Sequence, residues 1–163
     1  MNKHVLITGG SRGIGAATAR YLAGQGYNLC INYRCDRQAA DALVAEIKAN
    51  FAVSCIAVQA DISIEAEVVH LFEEMDERLG VITHLVNNAG LLQPQMKVME
   101  MSAERINKTL TTNVTGYFLC CREAVRRMAV GSAIVNVSSA AARLGSAGEY
   151  VDYAASKGAI DVL

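Results

Sequence analysis

The chain has 163 residues, with 15 Lys and Arg against 16 Asp and Glu, a formal net charge of −1 and 52% hydrophobic residues. This length predicts a single domain over residues 1–163 with a core of its own. The balanced charge and a pI near 6.3 argue against a nucleic-acid partner, and the high hydrophobic content argues against disorder.

Nothing in the sequence predicts a membrane protein or a metal site. No apolar run approaches the ~20 residues that cross a bilayer, and no basic start with an apolar region predicts a secretory leader. Five cysteines form an odd set without CxxC or zinc-ligand spacing, which favours reduced, mostly buried thiols in a cytoplasmic protein. The three histidines are His4, His70 and His84, and none has cysteines or carboxylates near it at the spacing of metal ligands.

Short β-rich runs alternate with longer helical stretches along the chain. Strands are predicted at residues 5–8, 29–33, 54–59, 82–86 and 134–137. Helices are predicted over 16–24, 36–50, 64–79, from 102 onward, 116–128, and from about 153 to the end of the chain. This alternation predicts an α/β fold, a doubly wound parallel sheet (Rossmann fold) with strand order 3-2-1-4-5. Because the chain stops inside a helix after five strands, we expect a fold truncated at that point.

A glycine-rich segment connects the first predicted strand to the first helix. It reads Thr-Gly-Gly-Ser-Arg-Gly-Ile-Gly over residues 8–15. Glycines allow a sharp turn and a close approach to a pyrophosphate, whose charge meets free N–H groups at the helix N-terminus. The spacing differs from G-x-G-x-x-G and predicts a dinucleotide loop of another subtype. Its candidate cofactor-binding residues are Gly9, Ser11, Arg12, Gly13, Ile14 and Gly15.

The end of the second strand indicates which dinucleotide binds. An NAD site places an acidic residue about 20 positions beyond the loop, to hold the ribose 2′-hydroxyl. Tyr33 and then Arg34 stand there instead, and two guanidiniums, Arg12 and Arg34, suit a 2′-phosphate. Asp36 is the alternative ribose ligand, although its position ahead of Arg37 is typical of a helix N-cap. We therefore expect NADP(H) rather than NAD(H).

A tyrosine and a lysine supply the candidate catalytic groups. Tyr153 and Lys157 lie four residues apart, on one face of the last predicted helix. A phenol exchanges protons near neutral pH only when a nearby cation stabilises the phenolate, and Lys157 is that cation. Ser139, at the end of the fifth strand, is placed to donate a hydrogen bond to a substrate carbonyl.

Through these motifs and their order, the chain resembles the short-chain dehydrogenase/reductase family over essentially its whole length. Members of this family include carbonyl reductases, 3-oxoacyl reductases and glucose dehydrogenases. The matching residues are Thr8-Gly9-(x)3-Gly13-x-Gly15, Asp61, Asn87-Asn88-Ala89-Gly90, Asn113, Asn136-Val137-Ser138-Ser139 and Tyr153-(x)3-Lys157.

The resemblance implies a catalytic role for four residues. Tyr153 would be the general acid that protonates the carbonyl oxygen as hydride arrives from the nicotinamide. Lys157 would support Tyr153 and hold the nicotinamide ribose, and Ser139 would polarise the carbonyl. Asn113 would kink its helix and hold a water that relays protons to Lys157.

The resemblance also implies cofactor contacts. Asp61 and Ile62 would contact the adenine, and Tyr153 and Lys157 would also touch the cofactor. The remaining predicted contacts beyond the glycine loop are Tyr33, Arg34, Asn87, Ala89 and Gly90.

Two alternatives stay open at this stage. Ser139 and Tyr153 are one residue further apart than is common in the family, which leaves Ser138 as a second candidate for the serine role. The leading function is an NADP(H)-dependent oxidoreductase acting on a carbonyl or secondary alcohol, such as a sugar, a 3-oxoacyl thioester or a xenobiotic ketone, and assembled as a homodimer or homotetramer. The alternative is a non-catalytic NAD(P)-binding scaffold or sensor.

Overall fold

A computed structural model, which describes residues 3–163, shows one five-stranded sheet covered by helices. The strands are β1 His4–Ile7, β2 Asn28–Tyr33, β3 Cys55–Gln59, β4 His84–Asn87 and β5 Ala133–Asn136. The helices are α1 Gly13–Gly24, α2 Arg37–Asn50, α3 Glu65–Arg78, α4 Ala103–Leu110, α5 Gly116–Arg127, α6 Ala141–Leu144 and α7 Val151–Val162. A 3₁₀ turn covers Val98–Glu100 and a π-helical turn covers Thr111–Thr115. Met1 and Asn2, which open the predicted domain 1–163, lie outside the described residues.

All the strand pairs are parallel, and the order β3-β2-β1-β4-β5 confirms the predicted doubly wound sheet. In the register, Leu6 of β1 lies opposite Cys30 of β2 and Leu85 of β4. The chain winds away from β1 in both directions, so the carboxyl ends of β1 and β4 flank the point where a doubly wound fold leaves a ligand crevice.

The core lies on both faces of the sheet. Leu6 packs on one face with Phe72 of α3 and Tyr117 of α5, whereas its neighbours Val5 and Ile7 pack on the other face. Successive strand side chains point to opposite faces, so the apolar run in β1 supplies both layers.

Two helices begin at a capping side chain. The Asp36 carboxylate accepts a hydrogen bond from the Ala39 N–H at 3.0 Å, which confirms the predicted N-cap of α2. Ser102 caps α4 in the same way through the N–H of Arg105. The fourth strand was predicted two residues too early, because pairing with β1 begins only where His84 meets Val5.

Cys30, Cys55 and Cys120 are buried, and the thiols in the described part of the chain are all free. Between residues 3 and 163, no helix is both long and apolar enough to cross a membrane. The same range holds no group of three His, Cys, Asp or Glu side chains placed to bind a metal.

Candidate active site

A cavity of about 350 Å³ opens at the carboxyl ends of β1 to β4. Most of the residues predicted to bind the cofactor line it: Gly9, Ser11, Arg12, Tyr33, Arg34, Asp61, Ile62, Ala89 and Gly90. It is also lined by residues that the sequence did not assign to the site, among them Asn32, Cys35, Asn88, Leu91 and Thr112. Six predicted contacts lie outside this lining: Gly13, Ile14, Gly15, Asn87, Tyr153 and Lys157.

The glycine loop is packed so closely that side chains do not fit at two positions. Gly9 has φ +59°, and a Cβ there would lie 2.8 Å from the Cα of Ala89. A Cβ on Gly15 would lie 2.6 Å from the carbonyl oxygen of Gly9 and 2.7 Å from the Asn88 amide nitrogen. The loop therefore keeps its backbone against the end of β4 and leaves the start of α1 open, an arrangement that fits a diphosphate.

Polar side chains hold this loop in place, and those of Thr8 and Asn32 are buried. The Thr8 hydroxyl accepts hydrogen bonds from the N–H groups of Asn88 at 3.0 Å and Ala89 at 3.1 Å, and the Asn88 amide donates to the carbonyls of Thr8 and Gly9. Asn32 accepts from the Gly9 N–H at 3.2 Å and donates to the Ala60 carbonyl at 3.0 Å. Sequence reasoning missed Asn32, although an amide inside an otherwise apolar strand was a usable signal.

Two arginines supply positive charge at the cavity wall. The Arg34 side chain is 51% exposed and lies 3.6 Å from an Asp61 carboxylate oxygen. Arg12 is exposed and has no ion pair with any residue from 3 to 163. Asp36 also lines the cavity, but its carboxylate is engaged in capping α2. A phosphate on the adenosine ribose would meet two cations here, and these residues therefore fit a dinucleotide with that group.

Helix α7 carries the predicted Tyr153 and Lys157. Lys157 is 3% exposed, and its Nζ lies 5.8 Å from the centre of the Tyr153 ring. The ammonium donates to the Val137 carbonyl at 2.6 Å and to the Tyr117 hydroxyl at 3.3 Å. Burial lowers the pKa of Lys157 to about 8, which leaves it mostly charged at neutral pH.

Asn113 lies in the π-helical turn between α4 and α5. Its amide is fully buried, accepts from the Leu91 N–H at 2.7 Å, and donates to the Leu91 carbonyl at 2.9 Å and to Ser156 of α7 at 3.0 Å. The Lys157 Nζ and the Asn113 Oδ1 would each lie 3.8 Å from a Cβ placed on Gly90. The structure thus brings Asn113, Lys157 and Gly90 to one place beside the cavity.

The two candidate serines differ in how their hydroxyls are used. The Ser138 hydroxyl donates to the Lys157 carbonyl at 3.2 Å. The Ser139 hydroxyl accepts from the Ala141 N–H at 3.2 Å, which leaves its own proton available to another acceptor. Within residues 3–163 no hydrogen bond joins Ser139 to Tyr153 or Lys157; Ser139 lies on the loop between β5 and α6.

Comparison with known families and proteins gives a consistent result. The sequence profile described as short chain dehydrogenase matches residues 3–163. The chain is 56% identical to an uncharacterized oxidoreductase of Escherichia coli over 163 residues, covering 97% of this chain and 66% of that protein. It is 36% identical to the 3-oxoacyl-[acyl-carrier-protein] reductase of Staphylococcus aureus, covering 98% of this chain and 65% of that reductase.

Solved structures agree with these sequence matches. A short chain dehydrogenase from Burkholderia cenocepacia in complex with NADP superposes with a TM-score of 0.92 at 35% identity, covering 97% of this chain and 64% of that one. A blue fluorescent protein from a metagenomic library, in complex with NADPH, gives a TM-score of 0.91 at 34% identity with the same coverage. The chain spans 64–66% of the length of these relatives.

Proposed function

Because this chain belongs to the short-chain dehydrogenase/reductase family of oxidoreductases, which bind a nicotinamide cofactor, we propose that it interconverts a carbonyl and a secondary alcohol with NADP(H). The observation that carries the proposal is the placement of a buried lysine ammonium 5.8 Å from the Tyr153 ring, beside the cavity that fits a dinucleotide.

In this proposal the bound nicotinamide supplies the hydride for reduction and accepts it in the reverse direction. Tyr153 gives its proton to the carbonyl oxygen, or removes the proton from the alcohol. Lys157, which is itself only 3% exposed, stabilises the resulting phenolate through its positive charge. Ser139 donates a hydrogen bond to the same substrate oxygen, and Asn113 keeps α7 and the loop after β4 at their present spacing.

The cofactor is held by the loop glycines and by the two arginines. Arg12 and Arg34 take the 2′-phosphate, and Asp61 and Ile62 border the adenine end of the cavity. Ala89 and Gly90 line the cavity toward Lys157. The NADP and NADPH complexes of two structural relatives support this preference over NAD(H).

The proposed partners are a small carbonyl or alcohol substrate and further copies of the chain, as a homodimer or homotetramer. Helix α5 supports self-association, because Phe118 and Val125 expose 54% and 66% of their surface. A cytoplasmic location is proposed from the free, mostly buried thiols.

The decisive experiment measures NADPH oxidation with a panel of ketones, sugars and 3-oxoacyl thioesters. Tyr153→Phe should lower turnover by about 10²–10⁴-fold, the usual contribution of a general acid, while the Kd for NADPH stays the same. Tyr21→Phe, which removes an exposed phenol from α1, is the matched control and should keep full turnover.

Three results would contradict parts of this proposal. Retained turnover in Tyr153→Phe removes Tyr153 from its role. Equal affinity of the wild-type chain for NADPH and NADH removes the role of Arg12 and Arg34. Tight NADPH binding without turnover on any carbonyl class favours the non-catalytic NAD(P)-binding alternative.

A further inference from the structure

A second tyrosine, Tyr117 of α5, contacts the buried Lys157. Tyr117 is fully buried, and its hydroxyl lies 3.3 Å from the Lys157 Nζ, although the two residues are 40 positions apart in sequence. The same hydroxyl donates to the Val137 carbonyl at 3.3 Å, and that carbonyl also accepts from Lys157 at 2.6 Å. Two side chains and one carbonyl therefore form a closed triangle of hydrogen bonds.

This triangle is the main polar environment of the lysine ammonium. A charged amine removed from water remains charged only if nearby groups accept its hydrogen bonds. Lys157 forms no ion pair with any carboxylate in the described chain, so its recorded acceptors are Val137 and Tyr117. The Tyr117 ring adds a weaker attraction, because the Nζ lies 5.1 Å from its centre.

The other titratable groups around Lys157 supply no negative charge in place of a carboxylate. They are Tyr153 on α7, and Tyr117, Cys120 and Cys121 on α5. Burial raises the pKa of Tyr117, Cys120 and Cys121, so all three stay neutral near pH 7. The Tyr117 oxygen therefore acts on Lys157 as a neutral hydrogen-bond acceptor.

We propose that Tyr117 is a positioning residue for Lys157, and that its hydroxyl keeps the ammonium charged and directed between α5 and α7, next to Tyr153. The inference rests on the proposed function in one respect, namely that Lys157 stabilises the Tyr153 phenolate. A purely structural Tyr117 would need just one hydrogen-bond partner for its hydroxyl, which Val137 already provides.

Removal of one oxygen atom tests the proposal. In Tyr117→Phe the ring and its packing remain, but the ammonium loses one of its two acceptors. A hydrogen bond to the ammonium stabilises the charged form of Lys157. Its loss should therefore lower the pKa of Lys157 by about one further unit. A structural role would leave the pKa of Lys157 unchanged.

The direct measurement is the titration of Lys157 by NMR in the full chain, with lysine labelled at ¹³Cε. The Lys157 signal is identified by its loss in Lys157→Met. The matched control is Tyr27→Phe, which removes a phenol near the opposite end of the sheet, where Tyr27 packs against His84. We expect the pKa to fall in Tyr117→Phe and to stay unchanged in Tyr27→Phe; an unmoved or raised value in Tyr117→Phe overturns the proposal.

A second variant covers the case in which Tyr117→Phe does not fold, as judged by circular dichroism. Tyr117→Met keeps a buried apolar side chain but loses both the oxygen and the ring, so the pKa of Lys157 should fall at least as far as in Tyr117→Phe. An unchanged pKa in Tyr117→Met overturns the proposal equally.

Kinetics separates this inference from the proposed function. The alkaline limb of kcat/KM for NADPH should move to lower pH by the same amount as the pKa of Lys157, because protonated Lys157 is the active form. A limb that stays in place while the pKa falls overturns the link to catalysis. If no carbonyl substrate is turned over, the proposed function fails, whereas the NMR result still decides whether Tyr117 holds the lysine charged.

Discussion

At the residue scale, Gly9 and Gly13 show two different reasons for a glycine. Both have a left-handed backbone, with φ +59° and +55°, but only Gly9 has a neighbour that a Cβ would meet, the backbone of Ala89. A left-handed alanine costs about 1–2 kcal/mol of stability from backbone strain alone. Overlap with packed neighbours adds about 1–3 kcal/mol, and at Gly9 it also moves the loop that borders the cavity.

We therefore expect Gly13→Ala to lower the free energy of unfolding by about 1–2 kcal/mol, and Gly9→Ala to lower it clearly further. Urea unfolding of the two variants measures this difference, and titration with NADPH shows whether nucleotide affinity falls more in Gly9→Ala. Equal unfolding free energies would mean that contact with Ala89 contributes nothing beyond backbone strain.

The candidate catalytic pair that was predicted from the sequence joins residues nearby in the chain, whereas the residues that were missed contact residues far away in the chain. Tyr153 and Lys157 were predictable because a helix brings positions four apart onto one face. Tyr117 was not, because its contact with Lys157 depends on how α5 and α7 lie against β5. Asn32 was missed for the same reason, since its amide joins β2 to the glycine loop and to the end of β3.

At the element scale, the Asp36 carboxylate that caps α2 bears on two properties, the stability of the helix and the choice between NADPH and NADH. The Asp36 side chain satisfies the Ala39 N–H, so Asp36→Ala should lower the free energy of unfolding by about 1 kcal/mol. If capping is its only role, the ratio of NADPH to NADH affinity should stay the same. Urea unfolding and nucleotide titration check the two parts, with Asp41→Ala, an exposed acid on the same helix, as the control.

A selective loss of NADH affinity in Asp36→Ala would show that Asp36 binds the ribose, which is the alternative role that the sequence offered. Unchanged stability would show instead that the cap adds nothing measurable to α2.

The order of the elements was predictable from the sequence, whereas the backbone form of their irregular parts was not. Apolar runs separated by amphipathic stretches predict parallel strands and covering helices, and the sheet order followed. In the π-helical turn at Thr111–Thr115, Asn113 forms hydrogen bonds to Leu91, in the loop after β4, and to Ser156 of α7, and both partners are distant in sequence. The short α6 has only four residues, too few for a periodic pattern.

At the scale of the whole molecule, a buried ion pair joins α4 to the start of α7. Arg105 and Asp152 are 3.1 Å apart, and their side chains are 8% and 2% exposed. Thr109 also contacts the Asp152 carboxylate, and Gln93 donates to the Arg105 carbonyl, so the loop after β4 takes part. Asp152 immediately precedes Tyr153, so this network helps to orient the helix that carries the proposed general acid.

Asp152 also ties the stability of the molecule to pH. Burial by itself would raise the pKa of this carboxyl, but hydrogen bonds from Arg105, the Tyr153 N–H and Thr109, with the charge of Arg105, hold it below its usual value. The unfolded chain therefore binds this proton more readily, so the contribution of the pair is complete above the ordinary carboxyl pKa of about 3.9 and is lost as the pH falls through the folded-state pKa.

Asp152→Asn should lower the free energy of unfolding by about 3–5 kcal/mol at neutral pH, because Arg105 stays buried without its counter-charge. As the pH falls below the ordinary carboxyl pKa and through the lower folded-state pKa of Asp152, the wild type also becomes protonated there, so the difference in unfolding free energy between the two proteins should narrow. Urea unfolding measured from acid to neutral pH follows both effects. Asp161→Asn, an exposed acid on α7, is the control and should track the wild type throughout. A difference that is equally large in acid and at neutral pH would show that the side-chain contacts of Asp152, rather than its charge, stabilise the junction of α4 and α7.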